Sequence, residues 1–311
     1  TSPTCRKRPV PSASAHSNGG KSGRPAGKMS GIVRGAAVTC GGPVPEGPEI
    51  RRAADRIADV LVGRRIEQAS FAFPELQSFE ERLSGTFVEA VDTRGKAMLT
   101  RFDNELTLYS HNQLYGRWFT TRRGELPDTR RSLRVALHTN SHSALLYSAS
   151  DISILTPGQV MSHPFLSRLG PDVLDAELEA DTIAGRLDQE RFMRRGLAAL
   201  YLDQSFLAGL GNYLRSEILF SAGVHPALRP IDLGSEEKKR LAHETIRMCR
   251  RSYLTGGKTL TPGPGRRRAG RFWVFARASK PCFNCGTGIQ RENFSGRRLY
   301  FCPGCQNQEQ S

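Results

Sequence analysis

Cys282-Phe-Asn-Cys285 and Cys302-Pro-Gly-Cys305 constrain this chain more than any other feature. Sixteen residues separate the two pairs. Two CxxC knuckles at that spacing can close one tetrahedral site with four thiolates, the pattern of a structural Zn²⁺. Four protein ligands leave no open position, so such a metal holds a hairpin and does no chemistry. Two redox pairs would leave the spacing without a reason. Four of the seven cysteines sit in this cluster, which suggests metal in a reducing compartment rather than a disulfide framework. The hairpin between the knuckles carries "SGRRLYF", with Arg297 and Arg298 near its tip. A guanidinium matches phosphate geometry, so these two are candidate phosphate contacts.

Charge points the same way. The 311 residues carry a formal net charge of +15, which favours a polyanionic partner, nucleic acid before membrane. No apolar run approaches the roughly 18 residues that would span a bilayer, and no signal-peptide core segment is visible. A cytoplasmic, monomeric protein with no small-molecule cofactor is expected. Residues 1–44 hold seven Lys/Arg, no Asp or Glu and no periodicity, and read as a disordered basic extension. That leaves +8 of the +15 on the remainder, so the basic bias is not confined to the extension.

Periodicity divides the rest. Apolar residues at Ile50, Ala53, Ala54, Ile57, Ala58 and Leu61 predict a helix over 48–62, with Pro48 and Glu49 in its first turn and Gly63 as its stop. From about 64 to 155 the pattern is β. "TFVEAVDTRGKAMLTRF" reads as a hairpin around Arg94-Gly95, and "LTLYSH", "LRVALHT" and "ALLYSAS" as further strands of a sandwich. "SRLGPDVLD" (167–175) reads as a linker, followed by helices over 194–208, 212–222 and 235–251. Residues 255–270 read as a flexible basic loop, and 271–305 as short strands around the cysteines. The expected organisation is α+β and multidomain. A β-sandwich domain with a leading helix spans 45–168, a helical domain 169–256, and a basic loop with a four-Cys finger 257–311.

In "DQSFLAGLGNYLRSEILF" (203–220) a helix ends at Gly209–Gly211 and another begins at Asn212. A glycine turn followed by a helix N-terminus lets backbone N–H groups approach an anion. Asn212 is therefore expected to cap that helix and donate to a phosphate. An ordinary helical hairpin explains these residues equally well by themselves.

Together these pieces resemble the bacterial formamidopyrimidine-DNA glycosylase/endonuclease VIII family over about 45–306. The resemblance rests on "PEGPEI" (45–50), "TRGKA" with Lys96, "LYSHNQLYG" (108–116), "LAGLGNYLRSEIL" (207–219) and the four cysteines, in that order. "PEGPEI" and "HNQLYG" look like its endonuclease VIII branch, which acts on oxidised pyrimidines. The resemblance implies a β-sandwich, a helix–two-turn–helix domain and a zinc finger, with damaged double-stranded DNA in the cleft between the halves. It implies base excision with strand nicking by β,δ-elimination. It also assigns roles: Pro45 as Schiff-base nucleophile, Glu46 as proton donor, and Lys96 as a further proton donor or active-site contact. Gln113, Leu114 and Tyr115 match the wedge that fills the hole of the flipped nucleotide, and Asn212 and Arg297 match DNA contacts. Cys282, Cys285, Cys302 and Cys305 match the zinc ligands.

One departure matters chemically. An internal proline nitrogen is an amide whose lone pair is delocalised, so Pro45 as written cannot form a Schiff base. Three routes are open: a start assigned too far upstream, a protease that exposes Pro45, or a catalytically dead zinc-containing DNA binder. The first is expected, because a GTG initiation codon is written as Val when read internally, and Val44 precedes Pro45. Met trimmed from Met-Pro45 would free the amine. The enzymatic alternative is a member of the family directed at 8-oxopurines.

Overall fold

The computed structural model describes residues 44–261, 270–294 and 296–307. The expected extension as far as residue 43, and 262–269 of the basic loop, lie outside the described residues.

Helix α1 (Gly47–Leu61) forms where the periodicity places it. Ile50, Ala54, Ile57 and Leu61 make one buried stripe. The three larger side chains each contribute about 1.5–3 kcal/mol on burial. They pack on two four-stranded antiparallel sheets. The first runs β1 (Gln68–Phe71), β6 (Leu133–His138), β7 (His142–Tyr147), β5 (Arg117–Arg122). The second runs β2 (Val88–Arg94), β3 (Ala97–Phe102), β4 (Thr107–His111), β8 (Asp151–Leu155). Their inner faces share one core, including Val88, Met98 and Leu108 from one sheet and Val135, Ala144 and Leu146 from the other. The expected sandwich is therefore present, although β1, β5 and β8 lacked a distinct sequence signal. The outer face of the second sheet is covered too: Ala97, Leu99 and Tyr109 pack with Leu155 and Leu166. Short helices α2 (Pro74–Gln77), α3 (Glu80–Leu83) and α4 (Pro157–Ser162) fill connections.

The second half is helical, with its own core. It comprises α5 (Ala180–Leu187), α6 (Glu190–Met193), α7 (Leu197–Leu200), α8 (Asn212–Ser221) and α9 (Ser235–Thr255). The single helix expected over 194–208 is not formed. Only the four-residue α7 lies there, and the chain then turns. Asp203 explains the break: its carboxylate accepts from the Ser205 N–H at 2.8 Å, and it also pairs with Arg195. An aspartate that bonds backbone two residues on competes with the helix ladder. The helix expected over 235–251 runs on to Thr255, where Gly256 takes φ 72° and ends it. The strands expected over 271–305 reduce to one hairpin, β9 (Gln290–Phe294) with β10 (Arg297–Phe301).

Candidate active site

Glu46 joins the two halves. Its backbone N–H donates to the Glu49 carboxylate at 3.1 Å as α1 begins. Its own carboxylate crosses to α8 and accepts the N–H groups of Tyr213 at 2.8 Å and Leu214 at 3.3 Å. These are orphan donors of a helix start, which short polar side chains normally satisfy locally. Here the cap comes from a residue 167 positions earlier. This corrects the expectation for Asn212. It is the first helical residue rather than the cap, and its Oδ1 accepts from Arg215 at 2.6 Å. The acceptor at this helix N-terminus is the protein's own carboxyl group. The Asn212 Nδ2 makes no hydrogen bond among the described residues, and so remains available as a donor.

Glycines make the approach possible. The Gly47 N–H donates to the Gly209 carbonyl at 2.8 Å. A Cβ on Gly47 would meet Gly209 Cα at 2.9 Å, and one on Gly211 would meet Glu46 Cδ at 2.3 Å. Gly211→Ala should therefore push the Glu46 carboxylate off α8. A displacement of about 1 Å at a reacting group costs on the order of 100-fold in rate. Base-release kinetics on damaged duplex should show that loss with the melting curve little changed.

Burial shapes the electrostatics. Glu46 is 3% exposed, and desolvation raises its pKa from 4.5 to about 8 against the opposing pull of Lys96 and the two N–H donors. Lys96 sits at the β2–β3 hairpin tip, half-buried. Burial lowers its pKa, Glu46 raises it, and Arg297 lowers it further. Lys96 makes no hydrogen bond or ion pair among the described residues. The tip is held beneath it: the Gly95 N–H donates to Asp172 Oδ2 at 2.6 Å. Glu46, Lys96 and Arg297 thus come from three distant segments into one electrostatic neighbourhood, with the half-buried Pro45 directly before Glu46.

The four thiols of Cys282, Cys285, Cys302 and Cys305 all lie within 4.8 Å of one another. The Sγ separations are 3.8 Å for Cys282–Cys305, 3.4 Å for Cys285–Cys302 and 3.5 Å for Cys285–Cys305. A tetrahedron with metal–sulfur bonds of about 2.3 Å has edges of about 3.8 Å. The donor set and its spacing fit one metal ion, on a hairpin remote in sequence from Glu46.

Comparison with known proteins agrees with this geometry. Residues 44–150 match the formamidopyrimidine-DNA glycosylase N-terminal domain, and residues 169–262 match the formamidopyrimidine-DNA glycosylase H2TH domain. Endonuclease 8 of Escherichia coli O6:K15:H31 is 49% identical over 264 residues, which span 85% of this chain and all of that protein. Endonuclease 8 of E. coli K12 (DH10B) is 48% identical over the same length. The chain belongs to the formamidopyrimidine-DNA glycosylase family. The fold agrees at longer range. Lactococcus lactis Fpg in a complex with abasic-site DNA superposes with TM-score 0.71 at 20% identity. Wild-type L. lactis Fpg with DNA containing N7-benzyl-Fapy-dG gives 0.72 at 19%. Each comparison covers 85% of this chain and the whole of the other.

Against the family's domain plan, Gln113, Leu114 and Tyr115 occupy the β4–β5 turn. Leu114 is 61% and Tyr115 68% exposed, so neither is core. Gln113 has φ 47°, with its N–H on His111 Nδ1 at 3.2 Å and its Oε1 accepting from Ser150 at 3.2 Å. Among the described residues no hydrogen bond or ion pair joins these three to Glu46.

Several residues packed around Glu46 and Glu49 carried little sequence signal. The Tyr213 hydroxyl donates to Glu49 at 2.9 Å and meets Ser252 Oγ at 2.6 Å, and Arg271 reaches Glu49 at 3.4 Å. Arg215 is fully buried and spans Asn212, the Ala198 carbonyl and the Arg298 carbonyl. It therefore ties the α8 start to the strand carrying Arg297. Glu217 accepts from the N–H groups of Trp273, Val274 and Phe275 at 2.8–2.9 Å, and from Thr259. A charged residue inside a "LRSEIL" helix was the only hint: charge there is costly unless paired.

Proposed function

We propose that this protein is a bifunctional DNA glycosylase/AP lyase of base excision repair that removes oxidised pyrimidines from double-stranded DNA. The observation that carries the reading is the buried Glu46 carboxylate, clamped on the α8 N-terminus beside Lys96 and one residue from Pro45. The 49% identity to E. coli endonuclease 8 supports the pyrimidine branch over the 8-oxopurine one.

In this reading the target nucleotide leaves the stack, and Leu114 with Tyr115 fills the hole, offsetting part of an unstacking cost of a few kcal/mol. The Pro45 nitrogen, as a free secondary amine, attacks C1′ of the sugar. The glycosidic bond breaks and its electron pair leaves with the base. The proline N–H proton passes to the departing base; Glu46, largely protonated at neutral pH, delivers its own proton to the ring oxygen as the C1′–O4′ bond breaks, and the nitrogen lone pair turns the C1′–N bond into an iminium. That electron sink acidifies the C2′ proton. Loss of that proton expels the 3′ phosphate, and a second elimination expels the 5′ phosphate. Lys96 and the Asn212 Nδ2 meet DNA phosphates. A free α-amine titrates near 8, so a neutral fraction is present at neutral pH. The reaction takes place on the chromosome, in the bacterial cytoplasm; no described helix is long and apolar enough to cross a membrane.

The four thiolates hold one structural zinc. When bound, zinc cross-links the hairpin that presents Arg297. Arg297→Ala should weaken binding across sequences and lower the log–log salt slope by about one. Stripping the metal with a strong chelator should reproduce that slope change, as read by fluorescence anisotropy over a salt series.

The function is tested on protein beginning at Pro45. Duplexes with thymine glycol or dihydrouracil should yield free base and a gap flanked by phosphates at both ends. Faster release of 8-oxoguanine would move the protein to the purine branch.

A further inference from the structure

Behind the hairpin tip lies a cavity of about 820 Å³. Its walls come from α1, the β2–β3 hairpin, the 169–176 segment and α9. Arg51, Arg94 and Arg250 bring three guanidinium groups to it, and Asp172 and Asp175 two carboxylates.

Three of the four carboxylate oxygens are already committed to backbone. Both Asp172 oxygens accept N–H groups, from Gly95 at 2.6 Å and Leu174 at 2.9 Å. Asp175 accepts from the Glu177 N–H at 3.1 Å. Two guanidinium groups are not committed. The Arg94 guanidinium makes no hydrogen bond or ion pair among the described residues, and that of Arg250 has only a long 3.5 Å contact to the Ala176 carbonyl. Arg51 is already paired with Asp55 at 3.0 Å. The cavity therefore presents two guanidinium groups with spare planar N–H donors, against carboxylates of which Asp172 has both oxygens bonded and Asp175 one; three cations against two carboxylates leave it net positive, the chemistry that takes phosphate. Its volume is that of a small-molecule site at a junction between domains. A lone phosphate would leave most of it empty.

We propose that this cavity binds a small organic phosphate of mononucleotide size, with Arg94 and Arg250 gripping the phosphate. The site is separate from the reaction centre but shares a wall with it. The Gly95–Asp172 contact that seats Lys96 also lines the cavity. Nothing in the proposal depends on the glycosylase reading.

The probe is AMP, titrated calorimetrically into zinc-loaded protein at physiological salt, with inorganic phosphate alongside. AMP should bind one to one and tighter than phosphate. An Arg94→Ala/Arg250→Ala double substitution should weaken AMP at least tenfold, while Arg291→Ala, on exposed β9 outside the cavity, should not. Ala176→Trp fills the mouth without removing charge and should also abolish AMP binding. This second variant stands if the double variant melts early. Unchanged AMP affinity in both variants overturns the proposal. So does a double variant whose duplex-DNA affinity and salt slope fall together, because the two arginines would then be DNA contacts.

Discussion

The 311-residue chain, with Pro45 in peptide linkage, should form no borohydride-stable adduct with abasic-site DNA, whereas the same protein beginning at Pro45 should trap quantitatively. The expected contrast is all or none, because it concerns the existence of a nucleophile. The amide nitrogen has no lone pair to give. Once the Val44–Pro45 bond is absent, the nitrogen is a secondary amine with a pKa of about 8. Both proteins should bind the same duplex, since Arg297, Asn212 and the thiolate cluster are common to them. Trapping is read by denaturing electrophoresis after reduction. A covalent adduct with the full chain, at a residue other than Pro45, would remove proline from the mechanism. Equal failure of both proteins would leave a DNA-binding protein without lyase activity.

Glu46→Gln should lower base excision by about 10²–10⁴-fold, the usual worth of a positioned acid. The amide keeps an acceptor for the Tyr213 N–H, so α8 should stay capped and the loss should fall on the chemistry. The pH dependence checks this separately. Burial raises the Glu46 pKa to about 8, so the protonated donor predominates below that pH and disappears above it. The wild-type rate should fall as pH rises through about 8, and the variant should lack that limb. Stability carries the same sign. The folded carboxyl holds its proton more tightly than the unfolded one does at 4.5. Its contribution is therefore full below about 4.5 and is lost as pH climbs through about 8. Thermal melts of Glu46→Gln should be flatter across that window. A variant with wild-type rates would return Glu46 to a purely structural cap.

Glu46 shows how far the sequence can be read. "PEGPEI" marks a helix start by local chemistry, Pro48 and Glu49 in the first turn, and the helix is where they put it. The same letters carry no record that the Glu46 carboxylate leaves its own helix for another. A cap is legible only when it is local. The 194–208 segment failed for the related reason that one aspartate's turn chemistry outweighs an apolar periodicity. Gln113, Leu114 and Tyr115 were assigned a wedge role only by resemblance, because Leu and Tyr in a β context ordinarily read as core; the exposure of Leu114 and Tyr115 is a tertiary fact.

The sequence by itself determined the elements whose causes lie within a few residues. These are the amphipathic α1, the paired strands around Arg94-Gly95, the four-thiol cluster and the basic charge that calls for a polyanion. Only the tertiary structure decided which groups share a dielectric. Glu46 and Lys96 come together because Gly47 lets its backbone close on Gly209, Gly95 leaves room beside Ala208 and Gly211 leaves room for the Glu46 side chain. Such contact removes water, and removal of water is what raises the Glu46 pKa. Charge and periodicity are written along the chain, whereas desolvation depends on what the rest of the chain leaves no room for.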